Sequence, residues 1–96
     1  MIAVLVTFQY GNDFDAGRVR AVAEKAAPQF ENMPGLRSKT FTLDEPNRRA
    51  QNFYVWDSGE AGKAFFSDEV RERVTALYGV PPSIELLEVA ALVNNG

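Results

Sequence analysis

Asn52, Tyr54 and Trp56 are the residues of this chain best equipped to act on a ligand. They alternate within Gln51–Asp57, QNFYVWD, a β-branched and aromatic run that suits a strand. With a period of two they share one face, and Phe53 and Val55 share the other. The first face therefore presents an amide, a phenol and an indole beside ring surfaces. The Asn52 amide is suited to orienting a substrate or peroxy oxygen by hydrogen bonding. Trp56 can stack on an aromatic ligand with its N–H turned toward an oxygen. Tyr54 lies between them as a lining residue, since a phenol with an ordinary pKa of ~10 is a poor base. Each has a plain structural role open to it as well: Asn52 satisfying backbone at a strand end, Trp56 filling a core. Large groups on both faces mean that both are covered, which places the strand inside a sheet.

Further polar groups fall near the presumed pocket. Thr7 and Gln9 interrupt the apolar pattern of the first strand, and a binding site needs a few placed polar groups among apolar walls. Glu88 is set in the apolar run of the last strand; buried, its pKa would rise and it would serve as a base. Phe65, Phe66 and Tyr78 read as packing, and Arg71 and Arg73 as a solvated helix face.

The composition narrows the chemistry. The 96 residues make one domain, residues 1–96, with 46% hydrophobic and 24% charged residues, an ordinary globular balance. The net charge of −3, with basic residues scattered among acids, argues against a nucleic-acid partner. There is no cysteine and no histidine. Disulfides, thiolate nucleophiles, the commonest metal ligand and the commonest neutral-pH base are all missing, so no metal site is expected. The N-terminus runs directly into a strand pattern without a basic leader, and no apolar run nears the ~20 residues that cross a bilayer. The expectation is a cytoplasmic protein with no membrane partner.

The elements that must position these residues follow in order. Ile2–Tyr10 reads as a strand whose Ile2, Val4, Val6, Phe8 and Tyr10 form the floor for helices. A helix starts near Asp13 or Asp15 and kinks at Pro28. Leu36–Leu43, punctuated by charge, suits a sheet edge. After Gln51–Asp57 comes a helix capped at Asp57 with Glu60 three positions on, bent at Ser67-Asp68-Glu69 and closed by Gly79. Ile84–Val93 is the last strand. The order β-α-β-β-α-β predicts an α+β, ferredoxin-like fold with a four-stranded antiparallel sheet and both helices on one face. Ala3, Leu5, Asn52, Tyr54, Trp56, Ile84, Leu86, Ala90 and Leu92 are then expected on the bare face, a patch too apolar for water. A second copy packed sheet against sheet would cover it, giving a homodimer with a cavity.

In layout and residues the chain resembles the dimeric α+β barrel superfamily, above all its small monooxygenases of the YdhR and antibiotic-biosynthesis types. The likeness rests on Met33-Pro34-Gly35-Leu36 leading into the second strand, on Phe53-Tyr54-Val55-Trp56-Asp57-Ser58 running into Glu60-Ala61 and Ala64-Phe65-Phe66, and on Val80-Pro81-Pro82 followed by Ile84-Glu85-Leu86-Leu87-Glu88-Val89. The resemblance implies oxygenation of a small aromatic, quinol-like substrate with no cofactor, the substrate anion supplying electrons to dioxygen. It implicates an Asn and a Trp four residues apart on the third strand, the spacing of Asn52 and Trp56. Two other outcomes stand beside it: a non-catalytic small-molecule binder or stress-related module on the same fold, and an isomerase or lyase using a carboxylate such as Glu88.

Overall fold

The computed structural model describes residues 1–96. Strand β1 (Ile2–Gln9) is followed by helix α1 (Ala16–Ala26), which tightens into a 3-10 turn over Ala27–Phe30. Strands β2 (Leu36–Asp44) and β3 (Arg49–Trp56) come next, then helices α2 (Gly59–Phe65) and α3 (Asp68–Tyr78), and strand β4 (Ser83–Glu88). The sheet has the order β2-β3-β1-β4 with every neighbouring pair antiparallel. This is the ferredoxin-like α+β arrangement, with β3 inside the sheet and the charge-punctuated β2 at its edge.

Local chemistry sets the boundaries. The Asp15 side chain accepts from the Arg18 N–H and starts α1. Pro28 lies in the first turn of the 3-10 segment, where its missing N–H does no harm. Ser67 caps α3, so the chain bends between α2 and α3 as its sequence predicts. Gly79 closes α3 at φ 83, a conformation that a side chain would strain.

Strand ends shift by a residue or two from expectation, and the cap of α2 and the end of β4 differ more. Ser58, not Asp57, caps α2 by accepting from the Ala61 N–H, while the Asp57 carboxylate pairs with Arg37 at 2.6 Å. Strand β4 stops at Glu88, well short of Val93, because Glu88 already lies opposite Ile2 at the start of β1. Past the Val89 N–H, which donates to the Met1 carbonyl, no partner strand remains.

The helices cover one face of the sheet, and the core lies between. Val4, Val6 and Phe8 of β1 meet Val19 of α1 and Tyr78 of α3 there, all buried. Burying each such large side chain contributes about 1.5–3 kcal/mol. The register fixes the other face as Ala3, Leu5, Phe53, Val55 and Leu87, ringed by Thr7, Thr40, Thr42, Gln51 and Glu85. Ala3 and Val55 are buried outside the helix-side core, whereas Phe53 is 39% and Leu87 44% exposed. No helix is long and apolar enough to cross a membrane.

Candidate functional site

Asn52, Tyr54 and Trp56 lie beneath the helices, not on the bare face. In the β1–β3 ladder Trp56 is opposite Ile2, Tyr54 opposite Val4 and Asn52 opposite Val6. Directly opposed residues of an antiparallel pair point the same way, so all three share the helix floor. Ile84 and Leu86 follow them there, being opposite Val6 and Val4, and Ala90 and Leu92 lie beyond the end of β4. Of the residues expected on the bare face, only Ala3 and Leu5 are on it. A phenol or indole can enter a core when its polar tip finds a partner or its ring finds enough apolar surface. Polar tips therefore do not mark the exterior face of a strand.

Trp56 is 2% exposed and sits under α2. Gly62 of α2 makes this approach possible: a Cβ there would fall 3.2 Å from Trp56 Cδ1. The indole stacks on Tyr54 at 6.0 Å between centroids and 10° between planes, with Phe65 at 5.1 Å. Its Nε1–H is buried without a hydrogen-bond partner. An orphaned buried donor is costly and marks a place where an acceptor would be welcome.

Asn52 is 3% exposed, and its Nδ2 donates to the Tyr78 hydroxyl at 3.1 Å. Tyr78 is fixed from two further directions. Its ring stacks on Phe8 at 3.8 Å and 3°, and its carbonyl accepts from the Tyr10 hydroxyl at 2.7 Å. Burial raises the Tyr78 pKa, and the Asn52 hydrogen bond partly offsets this. Burial first, and the Tyr78 hydroxyl second, push Tyr54 well above the ordinary phenol value. Both phenols stay protonated near neutral pH and act as donors, not bases.

Asn52 and Tyr78 form the inner wall of an open groove of about 670 Å³ between α1 and β2. Val19, Ala23 and Ala27 of α1 and Phe41 and Leu43 of β2 supply apolar walls, and Arg20, Glu24 and Lys39 supply charge. This is the composition of a small-molecule site, apolar walls with a few convergent polar groups. Asn52 keeps one amide hydrogen and its carbonyl for a ligand, and Tyr78 keeps its own hydroxyl proton.

Lys39 is the least expected member. Its Nζ lies 3.4 Å from the Phe30 ring centroid, 4.2 Å from that of Phe41 and 4.3 Å from that of Tyr54. Burial lowers its pKa to about 7. In the sequence Lys39 is one of several charges on a presumed edge strand, and Tyr78 is one more apolar position on a helix stripe. The available signal was parity: Lys39 and Phe41 alternate with Thr40 and Thr42, so a floor-facing Phe41 brings Lys39 inward with it.

Five sequence candidates stand apart from the groove: Tyr54 and Trp56 share the helix-side floor with Asn52 but do not line the groove, and Thr7, Gln9 and Glu88 lie elsewhere. Thr7 is on the opposite face, where its hydroxyl accepts from Gln51 Nε2 at 3.2 Å. Gln9 is exposed on that face and holds the β2–β3 turn, donating to the Asn47 carbonyl at 2.8 Å and the Arg48 carbonyl at 3.1 Å. Glu88 is exposed at the end of β4, so it is not the buried carboxylate that base chemistry requires. The sheet itself separates Thr7 and Gln9 from Asn52, because neighbouring positions on a strand point to opposite faces.

No family model and no curated relative matches the chain. Solved structures do. A protein of unknown function from Nitrosomonas europaea superimposes with a TM-score of 0.78 at 16% identity, covering 99% of this chain and 94% of that one. SnoaB, a cofactor-independent oxygenase from Streptomyces nogalater, gives 0.68 at 17% identity over 96% and 95% of the two chains. A monooxygenase of Streptomyces coelicolor in complex with nanaomycin D gives 0.68 at 19%, over 98% and 92%. The chain thus shares the ferredoxin-like α+β fold of these solved structures.

Proposed function

We propose that this chain is a cytoplasmic, homodimeric, cofactor-independent monooxygenase of the YdhR or antibiotic-biosynthesis type, acting on a small aromatic, quinol-like substrate. The substrate lies in the groove between α1 and β2. The observation that carries this is the Asn52 amide, buried on β3 yet lining an apolar groove with hydrogen-bonding capacity to spare. Fold likeness to oxygenases supports the class of reaction and leaves the substrate to the site's own chemistry.

The reaction needs a substrate that gives up a proton and then electrons. An anthrone-type phenol loses a proton and its anion reduces dioxygen, forming a carbon–oxygen bond to a peroxide. Collapse of the peroxide leaves one oxygen in the substrate as a carbonyl and expels the other as water, all four electrons coming from the substrate carbon. Asn52 holds the peroxy oxygen by its free amide hydrogen, a role worth about 10²–10³ in rate where a single such donor has been removed from other enzymes. Tyr78 donates to the ring oxygen. Trp56 lies roughly 13 Å along the strand from Asn52 and, stacked on Tyr54, packs the core beyond the groove.

The bare face supports the dimer. Ala3, Leu5, Phe53, Val55 and Leu87 form an apolar centre with a polar rim, the anatomy of a protein–protein contact. Oxygen-electrode assays with a panel of anthrone-type phenols test the activity. Consumption of one dioxygen per substrate converted is expected, and no consumption across the panel by an intact dimer would overturn it.

A second reading has one specific observation behind it. Trp56 is packed away from the groove, which suits a binder that holds an aromatic molecule without turnover. Ligand-dependent change in Trp56 fluorescence with no product formed would favour that binder.

A further inference from the structure

Lys39 is the groove's odd charge. The ion pairs of the protein are Arg37–Asp57 and Arg49–Asp44, and Lys39 has no carboxylate partner. Three ring faces, from the 3-10 turn, β2 and β3, hold its amine at the groove wall. The amine is not sealed there, since the side-chain nitrogen buried without a partner is Trp56 Nε1. An inward-pointing lysine on an edge strand can serve simply to discourage strand addition. That purpose requires neither an aromatic cage nor a place beside Asn52 and Tyr78 in a groove.

We propose that Lys39 is the proton acceptor of the groove: its amine takes the proton of an acidic phenol or enol bound beside Asn52 and Tyr78, and the resulting ammonium holds the anion. The O–H bond of the ligand breaks, an N–H bond forms, and no other reactant is needed. This rests on the proposal that the groove takes an aromatic substrate, and it names the group that makes the electron-rich anion in a chain without histidine. Lysine suits the task because its pKa responds readily to burial, and burial alone brings Lys39 to about 7. The ring faces favour the ammonium once it forms. Other groups around the amine do not replace it: Arg20 and Glu24 lie on α1 across the groove, and Tyr54 and Tyr78 keep their protons.

para-Nitrophenol is a suitable probe, because its anion is yellow, it ionises near neutrality and it is not an oxygenase substrate. Below its own pKa, the bound ligand is expected to show the phenolate band, its ionisation shifted by about one unit, a tenfold change. Above neutrality the free ligand is already an anion and Lys39 is uncharged, so binding draws one proton from solvent. Lys39→Met binds the probe without the band. Lys39→Arg binds the anion but draws no proton, because its charge is already present. Lys63→Met, an exposed control, behaves as the parent. Binding of the probe as neutral phenol, or, above neutrality, as anion without proton uptake by the parent protein, would overturn the proposal, and neither observation depends on a variant that folds. Oxygen uptake is measured separately, so uptake that persists in Lys39→Met removes Lys39 as proton acceptor while leaving the oxygenase standing.

Discussion

The Asn52 amide donates to the Tyr78 hydroxyl over 3.1 Å, joining the interior strand β3 to the last residue of α3. The bond lies at the inner wall of the groove, so it ties the packing of the core to the proposed site. Tyr78→Phe leaves a buried amide hydrogen unpaired, and a loss of about 1–3 kcal/mol is expected in urea unfolding. Asn52→Ala opens space and leaves a hydroxyl that reaches the groove, with a loss nearer 1 kcal/mol. The two residues share one bond, so the double variant should lose less than the sum.

Lys39 makes stability rise with pH. Its folded pKa is depressed, from 10.5 to about 7, so between those values the unfolded chain binds more protons than the folded one. The penalty for burying the charge is fully present below about pH 7 and is relieved as pH climbs toward 10.5. The shift corresponds to at most about 5 kcal/mol, reduced by the attraction of the rings for the ammonium. Lys39→Met should flatten this profile and raise the melting temperature at neutral pH. Thermal melts of both proteins across this range check it, and a profile equally steep in the variant would count against a buried amine.

Gly62→Ala should destabilise, against the usual gain of up to about 1 kcal/mol for that change in a helix. The new Cβ would meet the Trp56 ring at 3.2 Å, and the indole is held by Tyr54 and Phe65. Overpacking of this kind costs about 1–3 kcal/mol. Urea unfolding together with the Trp56 emission maximum reads both effects.

The proposed dimer uses the bare face, so a charge at the centre of that face should break it. Phe53→Glu places a carboxylate on a side chain already 39% exposed, leaving the helix-side core untouched. Light scattering is expected to give the mass of two chains for the parent and one for the variant, with unchanged far-ultraviolet circular dichroism.

Much of the fold could be read from the chain, and the reason is periodicity. The even positions of β1 announce a buried floor, Pro28 and Ser67 mark the breaks, and Gly79 the stop. The orientation of β3 was not legible from its own residues, because both of its faces are large and apolar. Only the pairing of Val4 with Tyr54 settles which face meets the helices. Once that register is known, Asn52 is brought to a groove, whereas Thr7 and Gln9 go to the opposite face. Lys39 escaped notice for a related reason: an edge-strand lysine looks solvated until Phe30, from a different element, is placed over its amine.

Ligand location tests the account most directly. Titrating the labelled protein with an anthrone-type phenol under argon, so that nothing is oxidised, and following its amide resonances distinguishes the two faces of the sheet. The Asn52 side-chain amide and the backbone amides of Val19 and Ala23 should shift together, while the Gln51 side-chain amide stays in place. Shifts centred on Gln51 and Phe53, with Asn52 unmoved, would contradict a site beneath the helices.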